Sequence, residues 1–245
     1  MIYRLGELFC GPGGIAWGAT NADIGDPEYG IVHQWANDYD ADTCKTYRHN
    51  ICPDAPETVY HEDIRKFDMS QLAPIDALAF GFPCNDYSVV GEQKGMNGVY
   101  GPLYSYGVKA LKLFKPIWFL AENVGGLKNA NDGKAFTKII AELKGAGYTV
   151  VPHLYKFEEY GIPQARHRII IVGIRNDIDV VYRVPSISPY VDVDNSCRTA
   201  IEVPPIPKDA LNNERTKQSP QVIERLEHIK PGQNAFTADL PERLR

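Results

Sequence analysis

Apolar residues along the first two thirds of the chain fall into short runs separated by polar, glycine- and proline-bearing turns. Strand-like runs cover Leu5 to Phe9, Ile31 to Ala36, Thr58 to Tyr60, Ile75 to Phe80 and Ile117 to Ala121. Each is short and bounded by turn residues, as expected of buried strands. Between them a helical period covers Gly13 to Ala22, Asp40 to His49, Leu103 to Phe114 and Lys134 to Lys144, with Gly145 or Gly147 as the last stop. Two further strands, Tyr148 to Phe157 and Arg168 to Gly173, flank a loop containing Gly161-Ile162-Pro163. This alternation predicts an α/β fold, a doubly wound and mostly parallel sheet with helices on both faces.

The alternation stops after about Pro185. Pro189, Pro204, Pro205 and Pro207 are interleaved with polar residues, and one amphipathic helix is expected from Pro220 to Ile229. Residues 1–185 are therefore read as one domain and 186–245 as an arm that packs against something else. The chain has 245 residues, 44% of them hydrophobic, enough to bury a substantial core. No apolar run reaches the roughly 18 residues needed to span a bilayer. The first residues, Met1-Ile2-Tyr3-Arg4, enter a strand-like run without the pattern of a signal peptide, so a cytoplasmic location is expected.

Composition excludes several classes. The five cysteines, Cys10, Cys44, Cys52, Cys84 and Cys197, are widely spaced and form no Cys-x-x-Cys pair. Neither a zinc site nor a disulfide framework is indicated, and no metal is expected. A net charge of −5 gives no global basic signature, which argues against a dedicated nucleic-acid-binding module but not against an enzyme with a local basic cleft.

The candidate chemistry gathers at strand ends. Gly11, Gly13 and Gly14 follow the first strand and open a helix, where the backbone can turn sharply and approach a ligand. Such a turn is structural about as often as functional, and Ala16 stands where the relaxed dinucleotide pattern would place its third glycine. Asp38 follows the second strand and Asp63 the third. Singly each is a surface acid or a helix cap; with the glycine loop they favour an adenosine-containing cofactor.

Cys84, in Gly81-Phe82-Pro83-Cys84-Asn85-Asp86-Tyr87, lies just past the carboxyl end of the fourth strand, where open α/β sheets bind ligands. A free cysteine is ordinarily a small buried hydrophobe, and a nucleophile needs a setting that favours the thiolate. The glycine-rich stretch from Tyr87 to Tyr100 reads as a loop able to close over a substrate. Cys10 reads as packing within the glycine loop, Cys44 as helical, and Cys52 and Cys197 as loop residues. Glu122 follows the strand Ile117 to Ala121 at the same sheet edge as Cys84. A carboxylate there is costly unless paired or used, the alternative being a helix cap or surface acid. Arg166 and Arg168 stand at period two in an extended segment, suited to a phosphate or carbonyl, or else to surface salt bridges.

Taken together these segments resemble the DNA cytosine-5 methyltransferases. The ordered motifs are Glu7–Gly14 (ELFCGPGG), Asn37–Asp40 (NDYD), Glu62–Ile64 (EDI), Gly81–Ser88 (GFPCNDYS), Gly101–Tyr104 (GPLY), Glu122–Val124 (ENV) and Gly161–Arg168 (GIPQARHR). The segments Cys197–Ile201 and Ile229–Gly232 also resemble the stretch beyond these motifs in that family. The resemblance implies a Rossmann-like methyltransferase fold that binds S-adenosylmethionine and releases S-adenosylhomocysteine. By motif position Phe9, Gly11, Gly13 and Gly14 would line its pocket, Asp38 would take the ribose and Tyr39 would pack on the adenine. Asp63 and Ile64 would hold the adenine edge, with Pro83 and Leu103 completing the wall.

The same resemblance implies the chemistry. The Cys84 thiolate would add to cytosine C6 to make C5 nucleophilic. Glu122 would bond the N3 and amine edge, Arg166 would anchor O2 or a flanking phosphate, and Arg168 would orient the thiolate loop. The base must leave the duplex to be reached, so double-stranded DNA is the expected partner, in a restriction–modification setting.

Two departures stand out. Asn85 replaces the family's usual glutamine after the cysteine, and the target-recognition domain and last two motifs are absent from these 245 residues. The expectation is therefore a truncated piece of a longer enzyme, or the larger subunit of a split one completed by a second polypeptide. Alternatives are methylation of RNA by the related tRNA-methylating branch, and a non-catalytic cofactor-binding subunit; the intact Cys84, Glu122, Arg166 and Arg168 argue against the latter.

Overall fold

Seven strands form one sheet in the order β3-β2-β1-β4-β5-β7-β6. The computed structural model describes residues 1–83, 103–129, 133–211, 213–214 and 216–245. The strands are β1 (Ile2–Leu8), β2 (Gly30–Asp38), β3 (Val59–His61), β4 (Ala77–Gly81), β5 (Trp118–Val124), β6 (Tyr148–Lys156) and β7 (His167–Arg175). The first five run parallel, and β7 is antiparallel to both β5 and β6. The doubly wound, mostly parallel α/β sheet expected from the alternation is the fold observed.

A strand covered on both faces must be apolar at every position, and β4 is buried from Ala77 to Phe80. Successive residues point to opposite faces and so feed separate cores. Leu8, Leu78, Phe80, Phe119 and Ala121 meet Val108 and Leu111 of α3 (Tyr104–Phe114) and Ile139 and Leu143 of α4 (Lys134–Gly145). Leu5, Ala36, Ala77 and Ala79 meet Ala16 of α1 (Gly14–Thr20) and Cys44 and Tyr47 of α2 (Ala41–Asn50).

Several elements extend past their expected ends because neighbouring strands continue the pairing. β1 starts at Ile2, opposite Gly30. Asp38, expected just after the second strand, is its last residue and pairs with His61. Glu122, expected to follow its strand, lies inside β5, flanked by Gly81 and Ile170. Phe9 has left β1 with a left-handed φ of 55°, and Leu103 is the N-cap of α3. Cys197, read as a loop residue, begins α5 (Cys197–Glu202).

The chain divides into two compact units, Met1–Asn195 and Ser196–Arg245. In the second, the Ser196 and Ser219 hydroxyls accept the Thr199 and Val222 N–H groups and so cap α5 and α6 (Pro220–Glu227). Arg243 pairs with Glu224 of α6. Among the described residues no helix is long and apolar enough to cross a membrane.

Phe119 is fully buried, with ring centroids 5.9 Å from Phe80 and 5.2 Å from Tyr148. Phe119→Ala should lower the unfolding free energy by about 3–5 kcal/mol, read as a fall in the urea midpoint, because the surrounding strands cannot collapse into the space.

Candidate active site

The loop between β1 and α1 turns through three left-handed residues, Phe9, Gly11 and Gly13. The Gly13 N–H donates to the Cys10 carbonyl at 3.1 Å, and the Cys10 N–H donates to the Asn37 carbonyl at 3.1 Å. The Gly11 N–H donates to Asp38 Oδ2 at 2.9 Å, while Asp38 Oδ1 accepts the Asp40 N–H at 3.0 Å. The end of β2 therefore holds both the glycine loop and the start of α2. A Cβ on Gly11 would meet nothing within 4 Å, so the loop presents bare backbone there; one on Gly13 would stand 2.8 Å from Ile51. Gly13 is thus required by packing as well as by its φ of 98°.

In front of this loop a cavity of about 230 Å³ opens at the carboxyl edge of the sheet. Phe9, Asp38, Tyr39, Asp63, Ile64, Pro83 and Leu103 line it, joined by Asn37, Arg65 and Gly81. Its chemistry is mixed: apolar walls from Phe9, Ile64 and Leu103, and carboxylates from Asp38 and Asp63. Tyr39 is 70% exposed. Asp63 is gripped by Arg65, whose Nε lies 2.9 Å from Oδ1 and 3.0 Å from Oδ2. That hydrogen bonding to Arg65, with its backbone N–H adding to it, holds the Asp63 carboxyl down at about 2.

Glu122 stands next to the cavity. It faces Gly81 across the β4–β5 pair, and a Cβ on Gly81 would lie 3.4 Å from Glu122 Oε2. Arg168, near the start of the antiparallel strand β7, reaches Glu122 with Nε 2.8 Å from Oε1. Both side chains keep about a quarter of their surface in solvent. Beside them Asn123 is 1% exposed, and its Nδ2 donates to the Phe82 carbonyl at 2.9 Å. It thereby ties the end of β5 to the segment leaving β4.

Gly11, Gly13 and Gly14 do not line the cavity itself. Gly13 and Gly14 border a separate outer groove with Trp17, Thr46 and Ile51. Arg166 lies just before β7, exposed, with its N–H donating to Glu158 Oε2 at 3.3 Å and its carbonyl accepting from the Phe157 N–H at 3.0 Å. Cys84 lies outside the described residues, as do Asn85 and the stretch from Tyr87 to Tyr100. Among the other cysteines Cys10, Cys44 and Cys52 are buried, and burial pushes the Cys10 thiol upward, away from reactivity.

Sequence reasoning assigned no role to Asn37, Arg65 or Asn123. Asn37 is 1% exposed and donates to the Tyr60 and Glu62 carbonyls at 3.0 and 2.9 Å, which holds the segment leading to Asp63. The signal was present in each asparagine: an amide in an otherwise apolar strand must find a partner. Arg65 gave no such signal, because a cation after a strand is ordinarily solvated.

Glycine loop, mixed-polarity pocket and carboxylate share one edge of a seven-stranded sheet whose seventh strand is inverted. The sheet order is that of the Rossmann-like methyltransferase fold. Residues 3–244 match the family model of the C-5 cytosine-specific DNA methylases, and the chain belongs to that family. It is 56% identical to the type II methyltransferase M.BbvI of Brevibacillus brevis, over all of this chain and 68% of that protein. To M.NgoFVII of Neisseria gonorrhoeae it is 34% identical, over 96% of this chain and 61% of that one. The chain thus spans roughly two thirds of these relatives' length. Among solved structures it resembles a DNA modification methyltransferase encoded within an E. coli prophage, with a TM-score of 0.64 and 22% identity over 88% of this chain and 58% of that one. It also resembles the Dnmt2 methyltransferase of S. pombe, with a TM-score of 0.55 and 14% identity over 96% and 61% of the two chains. These last two likenesses concern the fold.

Removing the Asn123 amide leaves the buried Phe82 carbonyl without its partner. Asn123→Ala should cost about 1–3 kcal/mol in a denaturant titration, whereas an exposed change such as Asn21→Ala, at the C-cap of α1, should cost less than about 1 kcal/mol.

Proposed function

We propose that this chain carries the catalytic domain of a type II DNA cytosine-5 methyltransferase that takes its methyl group from S-adenosylmethionine. One observation supports this reading above the rest: Gly81 lines the cavity on one side and faces Glu122 on the other. A ligand in the cavity and a base against the carboxylate would be neighbours across a single backbone residue.

The residues present suit the cofactor chemically. Asp38 would accept the ribose hydroxyls, its oxygens retaining lone pairs beyond those used by the Gly11 and Asp40 N–H groups. Asp63 and the Ile64 backbone would meet the adenine edge, Tyr39 would cover its face, and Phe9, Pro83 and Leu103 would close the apolar wall. The glycine loop, from Gly11 to Gly14, would let the chain pass close to the methionine portion. When bound, the cofactor supplies an electrophilic methyl group.

Cytosine C5 is too weak a nucleophile to take that methyl unaided. The Cys84 thiolate would add to C6, pushing electron density to C5. Glu122 would donate a proton to N3 and accept the amine N–H, and so stabilise charge as it develops. Arg168 holds Glu122 at 2.8 Å and would fix the carboxylate for this task, with Arg166 left to anchor O2 or a neighbouring phosphate. Loss of the C5 proton followed by expulsion of the thiolate would restore the enzyme. The target base would first have to leave the stack of double-stranded DNA.

Transfer of labelled methyl to unmethylated DNA tests the reading, with 5-methylcytosine identified in the product. Cys84→Ser should reduce transfer by at least about 10³-fold and leave S-adenosylhomocysteine binding intact. Glu122→Gln should lower kcat by about 10²–10⁴-fold with little change in cofactor affinity. Undiminished transfer by Cys84→Ser, or label appearing in RNA and not in DNA, would sink the proposal.

A further inference from the structure

The ten residues from Phe157 to Arg166 leave the sheet between β6 and β7, and the second of them closes the neck through which they return. The last paired residues are Lys156 and His167, opposite one another. Beyond them the chain makes a short 3-10 turn, Phe157–Tyr160, and reverses at Gly161 with a left-handed φ of 78°. Glu158 sits in that turn. Its Oε1 lies 2.6 Å from His167 Nε2, and its Oε2 accepts the Arg166 N–H at 3.3 Å. The Arg166 carbonyl in turn accepts the Phe157 N–H at 3.0 Å. One carboxylate therefore spans two successive residues of the returning chain, at the point where β7 begins.

Glu158 is itself held. Its carbonyl accepts Asn195 Nδ2 at 2.5 Å, from 37 residues further along the chain. The Tyr160 hydroxyl donates to the Pro185 carbonyl at 3.1 Å, so the segment from Pro185 to Asn195 fastens the turn at two points. The neighbouring acid is used elsewhere, since Glu159 pairs with Lys156 at 3.1 Å. The His167 hydrogen bond keeps the Glu158 carboxyl below its ordinary value, so it is ionised near neutrality and both oxygens accept. His167 then carries a proton on Nε2, the nitrogen that faces the carboxylate.

The two arginines of this segment rely on that clamp unequally. Arg168 lies inside β7, paired with Val124 of β5 and Tyr155 of β6, and its Nη1 donates to the His167 carbonyl at 2.8 Å. The sheet fixes it. Arg166 precedes the strand and is exposed, and its backbone is held by Glu158 at the N–H and by Phe157 at the carbonyl. The Glu158 and His167 side chains keep about a third and a half of their surface in solvent, so their pairing adds little to stability. Its value is the direction in which residue 166 leaves the loop. We propose that Glu158 is a positioning residue for Arg166: by holding the Arg166 N–H and the His167 ring at once, it sets the point from which the Arg166 guanidinium reaches DNA. Its effect on DNA binding rests on the function proposed above; its hold on Arg166 does not.

Three measurements test this: the backbone order parameter of Arg166 from nitrogen-15 relaxation, calorimetric binding of S-adenosylhomocysteine, and steady-state methyl transfer to DNA. They are made on wild type, Glu158→Ala, Glu158→Gln, His167→Ala and the variant carrying both alanines, with Glu159→Ala as the control that changes none of them. In wild type the Arg166 order parameter should be near about 0.85, and in Glu158→Ala it should fall toward about 0.6. The same variant should raise KM for DNA by about tenfold, leave kcat within about threefold of wild type, and leave S-adenosylhomocysteine affinity and melting little changed. Glu158→Gln keeps one acceptor and turns its amide toward the other donor, so it should fall between wild type and Glu158→Ala. Because His167 acts through Glu158, the variant with both alanines should lose no more than Glu158→Ala alone. Should Glu158→Ala fail to fold, Glu158→Gln carries the test by the same readouts. A flexible Arg166 in wild type, an order parameter or KM unmoved by Glu158→Ala, a loss confined to kcat, or additive losses in the double variant would overturn the proposal. Arg166 loosened as stated in a protein that transfers no methyl to DNA would uphold the hold on Arg166 and reject the DNA-methylating reading.

Discussion

The parallel pairing of β1 with β4, and of β4 with β5, is the constraint on which the site depends. Leu8 lies opposite Phe80, and Gly81 opposite Glu122, so the three central strands end within about three residues of one another. Each strand then releases its loop at the same edge: Phe9 to Gly13 from β1, Phe82 and Pro83 from β4, and Gly125 onward from β5. A slip of one residue in β4 would exchange its two faces, turning Phe80 from the α3–α4 core into the alanine-lined side against α1 and α2. Register is therefore fixed by side-chain volume, and the convergence of the loops is its consequence.

Fixing strand ends does not by itself fix loops. That task falls to polar groups buried at the ends of β1, β2 and β5, where an amide or carboxyl must find a partner or bear the cost of desolvation. Asp38 holds the glycine loop through the Gly11 N–H, Asn37 holds the segment before Asp63, Asn123 holds Phe82, and Glu7 holds Tyr47 of α2. Each spans two neighbouring strands or a strand and a helix. The loops facing the cavity can then present bare backbone and apolar surface, because their restraints lie behind them.

The inverted strand β7 makes a separate contribution. Being antiparallel to β5, it begins where the parallel strands end and so delivers Arg168 to the same edge as Glu122. Had β7 run parallel, its first residues would lie at the opposite edge. The resulting ion pair is partly solvated and so adds little to stability. Its value is geometric, since a planar guanidinium fixes the orientation of a carboxylate better than a flexible ammonium does.

Residue order alone dictated the α/β alternation, the strand and helix centres, and the candidate residues, because apolar periodicity is local and the motifs Glu7–Gly14, Gly81–Ser88 and Glu122–Val124 sit at strand ends that the same periodicity marks. Boundaries were less legible: β1 reaches back to Ile2 and β5 takes in Glu122 because partner strands continue the hydrogen bonding, and partners are not local. Packing in three dimensions was needed to bring Phe9, Asp38, Tyr39, Asp63, Ile64, Pro83 and Leu103 around one cavity, while the glycines beside them serve the loop's shape. It joined Arg168 to Glu122 across 46 residues of chain, through the inversion of β7. It also linked Glu7 with Tyr47, 40 residues away. A buried polar side chain announces in the sequence that it needs a partner; which group answers is set by packing between distant segments.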